Sequence, residues 1–310
     1  MIGWKLHSAK VMCNICGSHS DWLMYKRGYD LYRCKSCSHI FVYPIPSKKE
    51  LQKIYSFECG YHAQKPFIFS ENYNFENKFE KALEMIGSEK NSGLILDVGC
   101  SNGEFCVLAK RRGYKTLGIE LNPDSAAIAR MNGIEVRNGT LEFIKLPDNS
   151  FDIIHLGDLI EHIPDVHEFM DKIKTIIMHG GLLYIQTPNH DAFFPKSTLS
   201  LYKYGIPWSH PTPPHHLNQF TPQSMRLLLE THGFFLKEIS YTKCSLRYEI
   251  GATYVLSDLK RSFKDRDICN MFHYAVKTVA VLLTYIPIWI LDRLIRGERD
   301  FNMHILAIKT

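Results

Sequence analysis

The 310-residue chain has no apolar run of signal-peptide length near its start: MIGWKLHSAK carries Lys5 and Lys10 with nothing of that kind behind them. Nine cysteines, an odd number, make a poor disulfide framework. Both observations predict a reducing, cytoplasmic setting. The longest uncharged apolar run, Thr278–Leu291, contains Pro287 and is shorter than the roughly 20 residues expected of a spanning helix. Charge of one sign is also scarce. The 37 basic and 32 acidic residues leave a net charge of +5, and no Lys/Arg-rich stripe with interleaved aromatics stands out, which argues against nucleic acid as a partner. There is no internal repeat and no low-complexity tract. A hydrophobic share of 45% and a charged share of 22% exclude disorder and fibre-like folds.

Cys13 and Cys16 form one CxxC pair, and Cys34 and Cys37 form a second. Two such pairs suit tetrahedral zinc, each wrapping one edge of the ion, with Gly17 and Ser38 where a knuckle turn needs small residues. An all-cysteine site is closed, hence structural rather than catalytic. The remaining cysteines (Cys59, Cys100, Cys106, Cys244 and Cys269) read as small core residues.

Three segments follow from the patterning: a zinc ribbon over 1–46, a helical linker and cofactor flap over 47–92, and a main domain over 93–310. In the linker, Ser47 and Glu50 form a capping box for a short helix with Leu51 and Ile54. Tyr55, Tyr61 and His62 are flap candidates, and Phe75, Phe79, Leu83 and Ile86 lie at helical spacing with Gly87 as the stop. From residue 93 the pattern alternates strand and helix: strands at 94–98, 116–119, 134–136, 151–156 and 182–187, and a helix over about 166–178. That alternation predicts an α/β fold with a parallel sheet and helices on both faces. Residues 188–220, with six prolines and four histidines, read as a long functional loop inserted in the domain. Thr221 caps the next helix. Strands at 234–241 and 301–308 enclose a second insertion, 257–298, with a basic stretch and an apolar helix over 270–297.

The chemistry concentrates in Leu94-Ile-Leu-Asp97-Val-Gly99-Cys-Ser101-Asn-Gly103-Glu104-Phe105, where a buried strand turns through glycines into a helix. Glu120 ends the following strand, where a carboxylate can take both hydroxyls of a ribose. Three readings compete. A dinucleotide enzyme would want glycine where Ser101 and Glu104 stand, and Glu104 would repel a pyrophosphate. An α/β-hydrolase would use Ser101 as nucleophile, since Gly99-x-Ser101-x-Gly103 spells the elbow pattern, but no HGGG-type oxyanion loop precedes it. A phosphate-free, cationic nucleoside, S-adenosylmethionine, is compatible with Asp97 and Glu104.

At these residues the chain resembles the class I S-adenosylmethionine-dependent methyltransferases. LDVGCSNGEF is similar to the first motif of that family. The string from Phe151 through Asp158, Glu161, His162 and Asp165 is similar to its fourth-strand motif. Gly180-Gly181-Leu-Leu-Tyr-Ile resembles the fifth strand, and His216-Leu-Asn-Gln-Phe-Thr221 a later signature of the small-molecule branch. That branch includes quinone methyltransferases and envelope-sugar enzymes, and some sugar methyltransferases carry an N-terminal zinc-binding segment. The resemblance implies a Rossmann-like, seven-stranded, mostly parallel sheet. It implies that Asp97 orders the turn, that Gly99, Ser101 and Gly103 bed the methionine part, that Glu120 binds ribose, and that Gly157 and Asp158 line the sulfur end. Two departures stand out: Ser101 replaces the middle glycine, and Asn138-Gly139-Thr140 replaces an acid after the third strand, so adenine would need Thr140 or backbone groups.

An acceptor hydroxyl or acidic carbon also needs a base. The candidates are His162, His190, His215 and His216, with His216 and His162 preferred as catalytic residues; each could instead pack or bond to backbone. The implied acceptor is a small molecule, a sugar or lipid-linked envelope precursor. The basic flanks of helix 270–297 (Arg261, Lys264, Arg293, Arg296) permit peripheral membrane contact, although such apolar content more often makes core. The alternative within the same chemistry is an RNA methyltransferase whose ribbon grips RNA.

Overall fold

In the computed structural model the described residues are 10–47, 49–51, 79–202, 204–208, 210, 212–243, 246, 250, 253, 255–294 and 300–310. Strand β5 (Leu94–Val98) buries alternate side chains on opposite faces of a seven-stranded sheet. It pairs in parallel with β6 (Lys115–Glu120) on one side and β8 (Phe151–Gly157) on the other. Beyond β6 lies β7 (Glu135–Asn138), and beyond β8 lies β9 (Ile177–Pro188), both parallel to their neighbours. β12 (Asn302–Lys309) runs antiparallel between β9 and β11 (Phe234–Thr242). The sheet is therefore mixed and Rossmann-like, and strand order reverses at β5, which opens a crevice at the carboxyl ends of β5 and β8.

Both faces are covered. On one, Leu83 and Ile86 of α1 (Glu80–Gly87) and Phe105 and Ala109 of α2 (Glu104–Arg111) pack on Ile95, Ile153 and Leu306. On the other, Phe169 and Ile173 of α4 (Val166–Ile176) and Met225 and Leu228 of α6 (Pro222–Thr231) pack on Leu96, Ile154 and Ile185. Each Leu, Ile, Met or Phe side chain among these contributes roughly 1.5–3 kcal/mol when fully buried. The caps follow the sequence. Asn122 accepts from the amides of Asp124 and Ser125 at the start of α3 (Pro123–Met131), and Thr221 forms a capping box with Ser224. Ser47 and Glu50 cap reciprocally as the spacing predicts.

The cysteine-bearing segment is an antiparallel sheet of β1 (Val11–Met12), β2 (His19–Lys26), β3 (Tyr29–Cys34) and β4 (Ile40–Val42). Its fifth strand, β10 (Asn218–Gln219), comes from far along the chain and pairs with Phe41 and Ile40. Trp208 and Leu217 join Met24, Leu31 and Val42 in the core beneath it.

Several elements differ from the sequence expectation. The 188–220 segment is not all loop: it contains α5 (Phe193–Tyr202), since Pro195 falls in the first turn, where its missing N–H costs nothing. β9 begins at Ile177, so the helix before it ends at Ile176 rather than near 178. The second insertion holds α7 (Val255–Lys264) and α8 (Ile268–Leu294). By length and composition α8 is long and apolar enough to cross a membrane, because a helix of this size tolerates the single Lys277 that interrupts the run in sequence. It is seated through Val281 and Tyr285 against Phe194 and Val255. Cys100 and Cys106 are buried as expected, but Cys269 is exposed, at the start of α8. Cys59, Cys244, Ile54, Phe75, Tyr55, Tyr61, His62 and Arg296 lie outside the described residues.

Candidate active site

The turn after β5 folds by using the left-handed region three times: Gly99 has φ 78°, Ser101 49° and Gly103 83°. At Gly103 a side chain would also press on Ala129 and Ile134, each 3.1 Å from a Cβ built there. The amides of Gly99 and Cys100 donate to the Ile119 carbonyl at 2.8 and 3.0 Å, which holds the turn against the end of β6. Glu120, 4% exposed, faces this turn. One carboxylate oxygen accepts from the Ser101 amide at 2.9 Å and the other from the Asn122 amide at 2.7 Å, and each keeps lone pairs for further donors. Asn138 and Gly139 bond the Glu120 carbonyl at 2.8 and 2.9 Å and so carry Thr140 beside the same strand end. The Thr140 hydroxyl oxygen is buried without a hydrogen-bond partner. Leu121, next to Glu120, leaves its apolar side chain about half exposed.

Asp97 is buried below the turn. Its Oδ1 lies 2.7 Å from His155 Nδ1 and its Oδ2 accepts the Cys106 thiol at 3.4 Å. Gly157 ends β8 two residues beyond the register that pairs Asp97 with His155, and Asp158 follows it. Asp158 adopts φ 51° and accepts from the Gln186 amide group at 3.2 Å. No imidazole hydrogen-bonds Ser101 among the described residues, so none of them serves as the base of a hydrolase pattern there.

After β8, a short 3-10 turn over Ile160–His162 brings Glu161 and His162 against His216. The ligating atoms of these three residues lie within 4.8 Å of one another, and a carboxylate with two imidazoles could hold a divalent cation. Glu161 also accepts from the Thr187 hydroxyl at 3.0 Å. Burial, with the Asp158 carboxylate nearby, pushes its carboxyl up to about 8. Burial and the neighbouring His162 and His210 hold His216 well below the usual imidazole range. His162 donates from Nδ1 to the His215 carbonyl at 2.7 Å, which leaves Nε2 as its basic nitrogen. His190 is fully buried, against Trp208 and His210, and burial holds it far below its ordinary value. Sequence reasoning singles out His162 and His216 but not Glu161. The signal for Glu161 is its place in the same DLIEH string, read there only for resemblance.

Cys13, Cys16, Cys34 and Cys37 converge. Sγ separations are 3.7 Å for Cys13–Cys37, 3.5 Å for Cys16–Cys34 and 3.6 Å for Cys16–Cys37. A tetrahedron with metal–sulfur bonds of about 2.3 Å has edges of about 3.8 Å. The amides of Ile15, Ser36 and Cys37 point at the sulfurs at 3.3–3.4 Å, a donor arrangement that suits thiolates. This cluster is tied to later parts of the chain: the Thr221 hydroxyl donates to the Cys37 carbonyl at 2.9 Å, and Asn218 joins Asn14, His39 and the Ile163 carbonyl.

Comparison with known proteins gives one consistent picture. A family described as Methyltransferase domain matches residues 71–238, more than half of the chain. A probable S-adenosylmethionine-dependent methyltransferase of Mycolicibacterium smegmatis is 25% identical over 175 residues, covering 56% of this chain and 63% of that protein. A ubiquinone biosynthesis O-methyltransferase of Aeromonas salmonicida is 24% identical over 181 residues, covering 53% of this chain and 75% of the relative. The chain thus spans less than two thirds of the mycobacterial protein, and 40% of a third relative, a Chelativorans ubiquinone biosynthesis O-methyltransferase that is 30% identical over 101 residues. Among solved structures, the (4+2)-cyclase SpnF superposes with a TM-score of 0.54 at 16% identity, over 86% of this chain and 98% of SpnF, which is a likeness of fold.

Proposed function

This chain belongs to the methyltransferase-domain family, and on that premise we propose that it transfers the methyl group of S-adenosylmethionine to a small-molecule acceptor, a sugar or lipid-linked envelope precursor. The observation that carries the reading is the carboxylate of Glu120 turned onto the glycine bend at the strand-order reversal.

Bound there, the cofactor supplies a methyl group on a sulfonium whose leaving group is already activated, so the task left to the protein is mainly positioning. Glu120 accepts the two ribose hydroxyls with the lone pairs that its backbone donors leave over. Thr140 offers its unpartnered hydroxyl to the adenine. Gly99, Ser101 and Gly103 bring backbone close to the methionine part, and Asp97 stands behind them. Gly157 and Asp158 border the sulfur end. His162 and His216 are the bases we assign to the acceptor proton, with Glu161, its carboxyl held protonated by burial, beside them. Zinc in the Cys13, Cys16, Cys34 and Cys37 cluster has a structural part.

The exposed face of α8 supports the lipid-linked version of this reading. Phe272, Val276, Val279, Leu283, Ile286 and Ile290 recur at helical spacing and are 39–74% exposed. Such a stripe, with Lys264 and Arg293 at its ends, suits the surface of an anionic membrane.

Calorimetry with S-adenosylmethionine and its demethylated product tests the cofactor, with micromolar binding of both expected. Label transferred from methyl-labelled cofactor into a small-molecule or lipid fraction of a cell extract tests the reaction. Label found only in RNA would move the acceptor to the nucleic-acid class.

A further inference from the structure

His155 is a polar residue in an apolar wall. It sits on β8, is 2% exposed, and its ring is sandwiched between Phe105, at 3.6 Å and 8° between planes, and Tyr184, at 5.3 Å and 6°. Its Nδ1 lies 2.7 Å from Asp97 Oδ1. A carboxylate only accepts, so Nδ1 carries a proton, and in the neutral ring Nε2 presents a lone pair. Nε2 is buried and has no hydrogen-bond partner, which is uncommon for a polar atom in a folded interior. The ring leans toward the carboxyl edge of the sheet. A Cβ built on Gly157 would lie 2.7 Å from its Cε1 and 3.3 Å from Nε2, so the ring fills the place that a side chain at 157 would need. The lone pair therefore sits at the carboxyl edge, where strand order reverses.

We propose that His155 is a cofactor-binding residue whose Nε2 accepts a hydrogen bond from the α-ammonium of S-adenosylmethionine, with Asp97 as the positioning residue that fixes the ring. This rests on the cofactor reading above. Of the polar groups that cofactor carries, the ribose hydroxyls are assigned to Glu120, two strands over on β6, and the adenine to Thr140, beyond β7. The carboxylate is itself an acceptor and opposes a lone pair. The ammonium is a donor and a cation, and the Asp97 carboxylate behind the ring favours positive charge at that position.

The test is calorimetry on the full chain with three ligands: S-adenosylmethionine, its decarboxylated analogue, which keeps the amine, and 5′-methylthioadenosine, which has neither amine nor carboxylate. His155→Phe, which keeps the stacking, is expected to weaken the first two about tenfold and to leave methylthioadenosine within about twofold. Equal loss for all three ligands, or loss for none, overturns the proposal. The wild-type protein supplies a readout that no failed variant can spoil. Nitrogen NMR should show the His155 Nε2 resonance move with S-adenosylmethionine and stay with methylthioadenosine. An Nε2 signal unmoved by S-adenosylmethionine overturns the proposal, and wild-type protein that binds none of the ligands removes the cofactor reading along with it.

Discussion

The Ser101 amide donates to Glu120 at 2.9 Å, so the end of the second parallel strand is stitched to the bend that leaves the first. Deleting the Glu120 side chain removes both an acceptor for bound ribose and the tie that shapes the bend. Glu120→Ala should lower S-adenosylmethionine affinity at least tenfold, about 1.4 kcal/mol. Calorimetry reads this directly, and an unchanged dissociation constant removes Glu120 from the site.

The sulfur spacing of the four-cysteine cluster predicts one tightly held zinc per chain. Cys37→Ser, or prolonged chelation, should abolish that zinc in elemental analysis and lower Tm by several degrees. A Cys37→Ser protein with full metal content and unchanged Tm would remove the zinc assignment.

Asn218 ties the cysteine-bearing sheet to the segment after β8. Its Oδ1 accepts from Asn14 at 2.7 Å and lies 3.2 Å from His39 Nε2, and its amide donates to the Ile163 carbonyl at 2.7 Å. Asn218→Ala strands three partners, of which His39 is fully buried and Asn14 and Ile163 half-buried, and should cost about 2–4 kcal/mol in denaturant unfolding. A cost below about 0.5 kcal/mol would mean that the joint is not structural.

Burial, with Lys81 nearby, lowers His304 to about 4 in the folded protein, where the Tyr184 and Thr242 hydroxyls take its two ring nitrogens at 2.6 and 2.8 Å. The unfolded value is about 6.5. Between these values the unfolded chain binds a proton that the folded chain refuses, so stability falls as pH drops from about 6.5 to about 4 and flattens below. The contribution is on the order of 3 kcal/mol. His304→Gln should shed that part of the acid slope, and unfolding free energies measured across the window would show an unaltered slope if His304 titrates normally.

A charge placed on the exposed stripe of α8 separates membrane contact from fold. Leu283→Glu combined with Phe272→Glu should reduce co-sedimentation with phosphatidylglycerol vesicles while leaving Tm within a degree or two. Wild-type protein that stays in the supernatant would dispose of the membrane reading.

Local signals made much of this fold readable in the sequence. The Leu94–Val98 run, the Asn122-Pro123 start and the Thr221 cap each act within a few residues, and their elements form where those signals lie. The apposition of Glu120 and the glycine bend is likewise readable, since both end adjacent parallel strands. Other features depend on long-range partners that spacing does not encode. The two residues of β10 become a strand only because Ile40 and Phe41 offer an open edge. The proline count of 188–220 suggested loop and concealed α5. His155 lies on a neighbouring strand, 58 residues from Asp97, so their contact emerges only once the register is known.

The edge that β10 closes also orders events during synthesis. β4 is made early, yet the strand that completes its sheet is translated about 175 residues later, after most of the parallel strands have left the ribosome. Until then the nascent cysteine-bearing sheet carries an open β edge, the sort of template on which unfinished chains recruit one another. Occupation of the cysteine cluster would hold that half-built sheet in shape during the wait, so metal shortage should appear first as a loss of yield in the making of the protein.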